Sequence, residues 1–203
     1  QFHYIKNIGD VTNLNFALHY THGEGYYEQK KTAENFSDYG LNNIIILNDT
    51  IFTTDLIRRK WLNNDFGGAT YSLIHEIGPL NLIFGGASNR YSGQHYGNII
   101  WAQHASNGEI NHQYYWNKAE KFDNNFYAKA NYKHSEATNL YLDLQRRTVG
   151  YIFEGYDNNG EAAEQEVAHL FFNPKIGLFH NLRNNQSVYI SFGVANKEPN
   201  RND

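Results

Sequence analysis

The sequence predicts an all-β protein whose strands form one antiparallel up-and-down meander. The clearest segments are 12–29, 139–154 and 187–197, because apolar and polar residues alternate along much of each. Successive side chains of a β-strand point to opposite faces, so each segment has one apolar and one polar face. The nearest candidate for a helix, 161–168, is too short to be stable.

The same strand signals predict about seven strands in all. Leu140, Leu142 and Leu144 define the apolar face of the most regular one. Gly85 and Gly86 lie within another strand, where they indicate a bulge or the close approach of a neighbour. The predicted strands cover residues 12–29, 61–77, 80–90, 125–133, 139–154, 171–182 and 187–197.

The connections between these strands alternate between long and short. The short ones are 78–79, 134–137 and 183–186, and the long ones are 30–60, 91–123 and 156–166. In a meander, all short turns then lie at one end of the sheet and all long loops at the other. Barrels of the bacterial outer membrane have this asymmetry, whereas a soluble sandwich has no physical need for it. We therefore predict that the meander is part of a transmembrane β-barrel.

Composition excludes several other classes. The formal net charge of -4 gives no basic surface for nucleic acid, and the absence of Cys removes disulfides and thiolate metal sites. No apolar run approaches the ~18–20 residues of a membrane helix, but a membrane strand needs only ~9–11 residues of alternating character. The 16 Tyr, 13 Phe and 3 Trp suit both strands and membrane interfaces.

Five runs of the chain then carry a family resemblance. They are IRRKWLNNDF (57–66), GGASNRYSGQHYG (85–97), DLQRR (143–147), FFNPKIG (171–177) and SFGVANKEPNRND (191–203). Together these runs resemble TonB-dependent outer-membrane receptors of the Bacteroidetes type, over most of the chain from Leu56 onward. Large plugged transporters of this kind have about 22 strands. The resemblance therefore implies that 1–203 is a partial barrel domain, about a third of the whole, without the plug or the closing C-terminal strands.

The resemblance also implies a function. A receptor of this family takes up a scarce solute across the bacterial outer membrane and is powered through TonB. Its partners would be outer-membrane lipid, TonB (through an N-terminal part not included in this chain) and a small-molecule or glycan substrate. Iron–siderophore, haem, cobalamin and glycan cargoes all stay open. We expect no catalytic residues and no cofactor.

Two groups of residues are candidates for the site. The first belongs to the polar faces of the strands and would line the lumen, where it contacts a plug, borders the substrate route or forms only wet wall: Asp143, Gln145, Arg147, Asn173 and Lys175. The second belongs to the predicted extracellular loop after residue 90 and would bind the ligand, form an interface girdle or pack the loop: Tyr91, Tyr96, Trp101, Tyr114, Tyr115 and Trp116.

One residue fits the predicted barrel poorly. Continuing the apolar face beyond Leu144 places Arg146 toward lipid, where a charge at mid-bilayer costs ~2–4 kcal/mol. Either Arg146 snorkels to an interface or a bulge changes the register. We hypothesise a bulge between Leu144 and Gly150.

Other interpretations are weaker but stay open. His19 and His22 point to opposite faces of a strand, and His75-Glu76 lacks the second His of a zincin motif, so the ten His predict no metal site. No nucleophile elbow or isolated carboxylate pair predicts an enzyme. The alternatives to active transport are a passive porin-like barrel and, from another class, a secreted soluble β-sandwich that binds glycans.

Overall fold

The computed structural model describes residues 1–156, 161–183 and 185–199. Eight strands form one antiparallel sheet in the order β1-β2-β5-β6-β7-β8-β9-β10, and β3 and β4 form a separate small hairpin. A 3-10 helix, Phe36–Tyr39, precedes that hairpin. The strands are β1 (Phe2–Ile8), β2 (Thr12–Asn35), β3 (Ile44–Ile46), β4 (Asp49–Ile51), β5 (Thr53–Ile77), β6 (Leu80–Ala102), β7 (His112–Lys133), β8 (Thr138–Tyr156), β9 (Ala162–Asn181) and β10 (Ser187–Gly193). None of the helical residues described is part of a helix long and apolar enough to cross a membrane.

The predicted all-β up-and-down meander is confirmed, although the strands are longer than predicted. Each of the seven expected strands is present, and β1 is an additional one at the edge. Polar sequence for which the pattern predicts loops continues the strands, so the long connections 30–60 and 91–123 shrink to 36–52 and 103–111. The third predicted long connection, 156–166, lies partly outside the described residues. The last strand is shorter than expected, since β10 ends at Gly193 rather than at Lys197.

The two faces of the sheet differ in chemistry. Leu142 pairs with Ala130 on one side and with Ile176 on the other, so these three side chains share a face, here called the apolar face. Asp143 pairs with Lys129 and Lys175 on the opposite face, here called the polar face. Ile176 is 56% exposed, and no second sheet covers the apolar face within the described residues.

The hypothesis of a bulge near Arg146 is wrong. Pairing of β8 with β7 and with β9 continues without a register shift from Asn139 to Tyr156. Arg146 is exposed on the apolar face, in register with Phe126 and Phe172. It therefore ends the run of leucines on β8, between two aromatic rings.

Gly85 and Gly86 mark a close approach and not a bulge, because their pairing with β5 and β7 is continuous. A Cβ on Gly85 would lie 2.5 Å from the hydroxyl of Tyr127, and one on Gly86 would lie 2.6 Å from the hydroxyl of Tyr71. The two tyrosines thus cover the glycines from opposite faces. Only a residue without a side chain fits beneath each ring.

A small buried cluster lies at the end of the sheet with the long connections. The connection 36–52 folds back onto the strands, and Phe36 and Leu56 are fully buried there. A register shift next to Gly97 accompanies the placement of Tyr114, whose ring packs against the same cluster. The remaining buried members are Tyr39, Leu41 and Ile99.

Candidate functional site on the polar face

The first predicted group lies together on the polar face, where β8 and β9 are adjacent. Asp143 pairs in register with Lys175, and Gln145 pairs with Asn173. The Asn173 amide donates a hydrogen bond to Gln145 Oε1 at 3.2 Å, and Lys129 Nζ lies 3.2 Å from Asp143 Oδ2. Alternation along two neighbouring strands is what brings these side chains onto one surface.

Four of these residues line a cavity of about 450 Å³. Its wall offers both hydrogen-bond donors and acceptors, and its lysines outnumber its carboxylates. Such a surface can bind a polar ligand or the polar side chains of another domain. The lining residues are Asn125, Tyr127, Lys129, Asp143, Gln145, Asn173, Lys175, Val194 and Ala195.

Arg147, the fifth member of the group, belongs to a separate charged network. Its guanidinium donates two hydrogen bonds to Asp123, at 3.0 and 2.6 Å. Glu198 accepts hydrogen bonds from Lys121 Nζ, at 2.8 and 3.0 Å, and from the Tyr151 hydroxyl. Bidentate pairing of this kind fixes the arginine more firmly than a single hydrogen bond would.

Sequence reasoning missed the partners of Arg147. Glu198 reaches Lys121, which is 77 residues away in the chain. The segment after β10 crosses the polar face, and the backbone N–H of Asn196 donates to Asn173 Oδ1 at 2.7 Å. Strand alternation carries no signal for a contact made by an irregular segment.

A second cavity, of about 540 Å³, lies on the other side of this crossing segment. Val194 and Ala195 line the first cavity, whereas Pro199 lines the second. The crossing segment therefore separates two polar-face cavities. The second is lined by Tyr91, Ala119, Glu120, Lys121, Tyr151, Ile152, Phe153, Gln165, Val167, His169 and Pro199.

The six aromatic candidates are not in a loop, which corrects the predicted location. Tyr91, Tyr96 and Trp101 lie on β6, and Tyr114, Tyr115 and Trp116 lie on β7. The connection between these strands is only 103–111, because the polar residues around them pair as strand.

The six aromatic residues also divide between different surroundings. Tyr91 donates a hydrogen bond to Asn64 Oδ1 at 2.7 Å on the polar face. Tyr114 and Tyr115 pack with the buried cluster, their ring centroids 5.0 Å apart. Tyr96 and Trp116 pair with each other on the apolar face, and Trp101 is exposed. The six therefore do not form a single surface.

Within the residues that the structure describes, no three His, Asp or Glu side chains converge as metal ligands would. The strongest constellation is the charged network around Arg147, and its groups are already paired with one another. The ion pairs of Lys121 and Arg147 with Glu198 hold the crossing segment on the sheet.

Comparison with solved structures finds similarity to the ferric yersiniabactin uptake receptor FyuA from Yersinia pestis. The TM-score is 0.32 at 8% sequence identity, over 90% of this chain and 34% of that chain. This chain thus spans about a third of the receptor's length. No family model and no curated protein matches the chain.

Proposed function

We propose that this chain forms part of the wall of a TonB-dependent receptor barrel that takes up a scarce solute across the bacterial outer membrane. The observation that carries the proposal is the unequal chemistry of the two faces. Leucine, isoleucine and phenylalanine side chains lie uncovered on one face, while asparagine, lysine and aspartate lie on the other. A water-soluble sheet buries its apolar face, whereas a barrel wall in lipid exposes it.

The apolar face has the extent that a membrane requires. On β7, this face carries no charged residue from Phe122 to Tyr132, eleven residues along the strand, whereas on β8 Arg146 follows Leu144. A membrane-spanning strand needs about 9–11 residues. Beyond this stretch, the same face carries Lys118, Glu120 and Glu154 on β7 and β8. The apolar stretch is called the lipid band below.

The alternative functions, a soluble glycan-binding sandwich and a passive porin, require different structural features. A soluble β-sandwich needs a second sheet against the lipid band, and the described residues contain only one large sheet. A passive porin needs an open aqueous lumen and no energised partner. Active uptake is supported by the five sequence runs of receptor type and by the crossing segment, which places additional chain over the polar face.

Single-cysteine labelling tests the orientation of the faces, because the chain has no Cys of its own. Leu142→Cys and Gln145→Cys lie on opposite faces of β8 and form a matched pair. A nitroxide is attached to each cysteine of the intact protein in membranes. We expect the label at Leu142→Cys to be more accessible to oxygen, and the label at Gln145→Cys to be more accessible to a water-soluble relaxant. Water exposure at both positions, or the reverse pattern, contradicts the barrel wall.

Energy dependence tests the mode of transport. Uptake of iron–siderophore, haem, cobalamin and oligosaccharide is measured in cells that express the intact protein, with and without TonB. We expect one cargo to accumulate only when TonB is present. Equal uptake without TonB identifies a passive barrel instead, while leaving the orientation of the faces unchanged.

A further inference from the structure

Five aromatic side chains form an unbroken row across five neighbouring strands. Each residue pairs in register with the next, and all lie on the apolar face near the end with the long connections. This row is called the aromatic ladder. Its members, from β2 to β8, are Tyr26, Trp61, Tyr96, Trp116 and Tyr156.

The rings at one end of the aromatic ladder pack against each other. The centroids of Tyr26 and Trp61 are 4.6 Å apart, and Trp61 and Tyr96 stack at 5.9 Å with their planes 12° apart. The Arg59 guanidinium lies 4.1 Å from the Tyr26 centroid and pairs with Glu28 at 2.6 Å. These contacts hold the rings as a platform that keeps one side in solvent, since Tyr26 is 51% exposed.

The aromatic ladder is separated from the lipid band by two rows of mainly polar residues. The row next to it contains Glu24, Asn63, Gln94, Lys118, Glu154 and Glu164. The following row contains His22, Asp65, Ser92, Glu120, Ile152 and Glu166. Hydrocarbon does not solvate such rows, so the ladder lies beyond the hydrocarbon edge.

The direction of the row also distinguishes it from an interface girdle. A girdle follows the membrane plane, whereas the strands of such barrels tilt by ~35–45°. The girdle residue on each strand is therefore offset along that strand by about one residue from the girdle residue on the neighbouring strand. The aromatic ladder does not move: every member pairs directly with its neighbour. Its length is about 19 Å, given ~4.8 Å between strands, which matches a short oligosaccharide.

We infer that the aromatic ladder binds the neutral sugars of the glycolipid that surrounds the barrel in the outer leaflet. The inference rests on the proposed function, because it needs the apolar face to point toward the membrane. The apolar C–H face of a pyranose ring stacks on an aromatic ring, and amide side chains such as Asn63 and Gln94 offer hydrogen bonds beside it.

Charge and position select this occupant. The two neighbouring rows contain six carboxylates and one lysine, so they disfavour an anionic headgroup or phosphate. Cargo would approach the polar face inside the lumen, whereas the ladder faces outward. Outside the hydrocarbon, an outward-facing surface meets the sugar layer of the surrounding membrane.

Fluorine NMR of 5-fluorotryptophan tests the inference on the intact protein in liposomes. The signals of Trp61 and Trp116 are assigned with Trp61→Phe and Trp116→Phe, and Trp101, an exposed tryptophan outside the ladder, is the internal control. One set of liposomes contains lipopolysaccharide with its complete core sugars, and the other contains lipid A alone. With core sugars, we expect the Trp61 and Trp116 signals to shift and lose solvent contact more than the signal of Trp101, which lies on the same face beyond the ladder.

Each other outcome overturns the inference. Equal shifts with lipid A alone mean contact with acyl chains, and unchanged signals mean that the rings only pack against each other. Equal shifts when maltoheptaose is added to lipid A liposomes mean that a free glycan is the ligand. Tyr26→Leu keeps an apolar side chain but removes a ring, so it should weaken the response at Trp61; an unaltered response contradicts the platform.

The proposed function and the inference fail in different ways. A protein whose Leu142→Cys and Gln145→Cys labels do not report opposite environments fails as a barrel wall, whatever the NMR shows. If the labels report opposite environments but the tryptophan signals do not respond to core sugars, only the glycan site is contradicted.

Discussion

Two apolar regions of this molecule have opposite relations to solvent. In the buried cluster, Phe36 and Leu56 are 0% exposed beneath the folded connection 36–52. In the lipid band, Ile176 and Phe192 are 56% and 70% exposed. The same kinds of side chain are therefore packed inside at one end of the sheet and uncovered along the rest of it.

The difference shows that apolar packing has two separate roles here. In the cluster it fixes the position of a long connection, because the connection has little strand pairing of its own beyond the β3–β4 hairpin. In the sheet, backbone pairing between neighbouring strands sets the structure, and large apolar side chains of the lipid band stay exposed. Breaking either region should therefore produce effects that do not spread to the other.

The largest expected effect comes from the cluster. Phe36→Ala removes a fully buried ring, and such substitutions cost about 3–5 kcal/mol. We expect faster hydrogen exchange throughout 36–52, with unchanged exchange in 138–146. Ile110→Ala is the control, since Ile110 lies in a neighbouring connection and is 95% exposed. Faster exchange across the whole sheet would mean that the cluster supports the strands as well.

The next effect comes from the lipid band. Leu142→Arg places a charge on the apolar face of β8 and should cost about 2–4 kcal/mol of stability in a bilayer. Gln145→Arg places the same charge on the polar face and should cost little. Unfolding of the intact protein in liposomes by urea measures both variants. Similar losses for the two would show that the faces do not differ in environment.

The face of each strand could be predicted from the sequence because it depends only on alternation. Leu140, Leu142 and Leu144 alternate strictly, so the sequence placed Asp143 and Gln145 on the opposite face, where the structure has them. The register between β8 and β9, which brings Asp143 to Lys175, needs the structure. A period of two defines a face but not which residue lies opposite.

The ends of the strands could not be predicted in the same way. In β6 and β7, polar and aromatic residues continue the pairing well beyond the apolar alternation, so the sequence predicts a loop where Tyr96 and Trp116 are in strands. Both faces are polar or aromatic in that part, and the alternation signal disappears. The position of Tyr114 is even harder to predict from the sequence, because it depends on a register shift beside this residue.

A smaller effect is expected from the charged network on the polar face. Asp123→Asn weakens the two hydrogen bonds from Arg147 and should cost about 1–2 kcal/mol, since both side chains are partly exposed. Asp143→Asn is the matched change, because Asp143 pairs with the more exposed Lys129. Thermal unfolding in detergent compares the two variants, and a larger loss for Asp143→Asn would contradict this ranking.

The smallest effect concerns the response of the buried cluster to alkaline pH. The pKa of Tyr39 is raised from 10.0 to about 12, mainly because the phenol is buried. The hydrogen bond that it donates to Glu34 at 2.5 Å also raises this pKa, whereas the charge of Arg58 lowers it. The folded connection therefore keeps the phenol protonated where the unfolded chain has lost that proton. Its contribution is complete below pH 10 and is lost as the pH rises through about 12.

Tyr39→Phe separates this titration from the packing of the ring. The variant keeps the aromatic side chain but has no phenol to ionise, so hydrogen exchange in 36–52 should depend less on pH between 10 and 12 than in the parent. Exchange in the lipid band should respond equally in both proteins, because Tyr39 contacts only the cluster end of the sheet. An identical pH response of 36–52 in parent and variant would assign the alkaline loosening to another group.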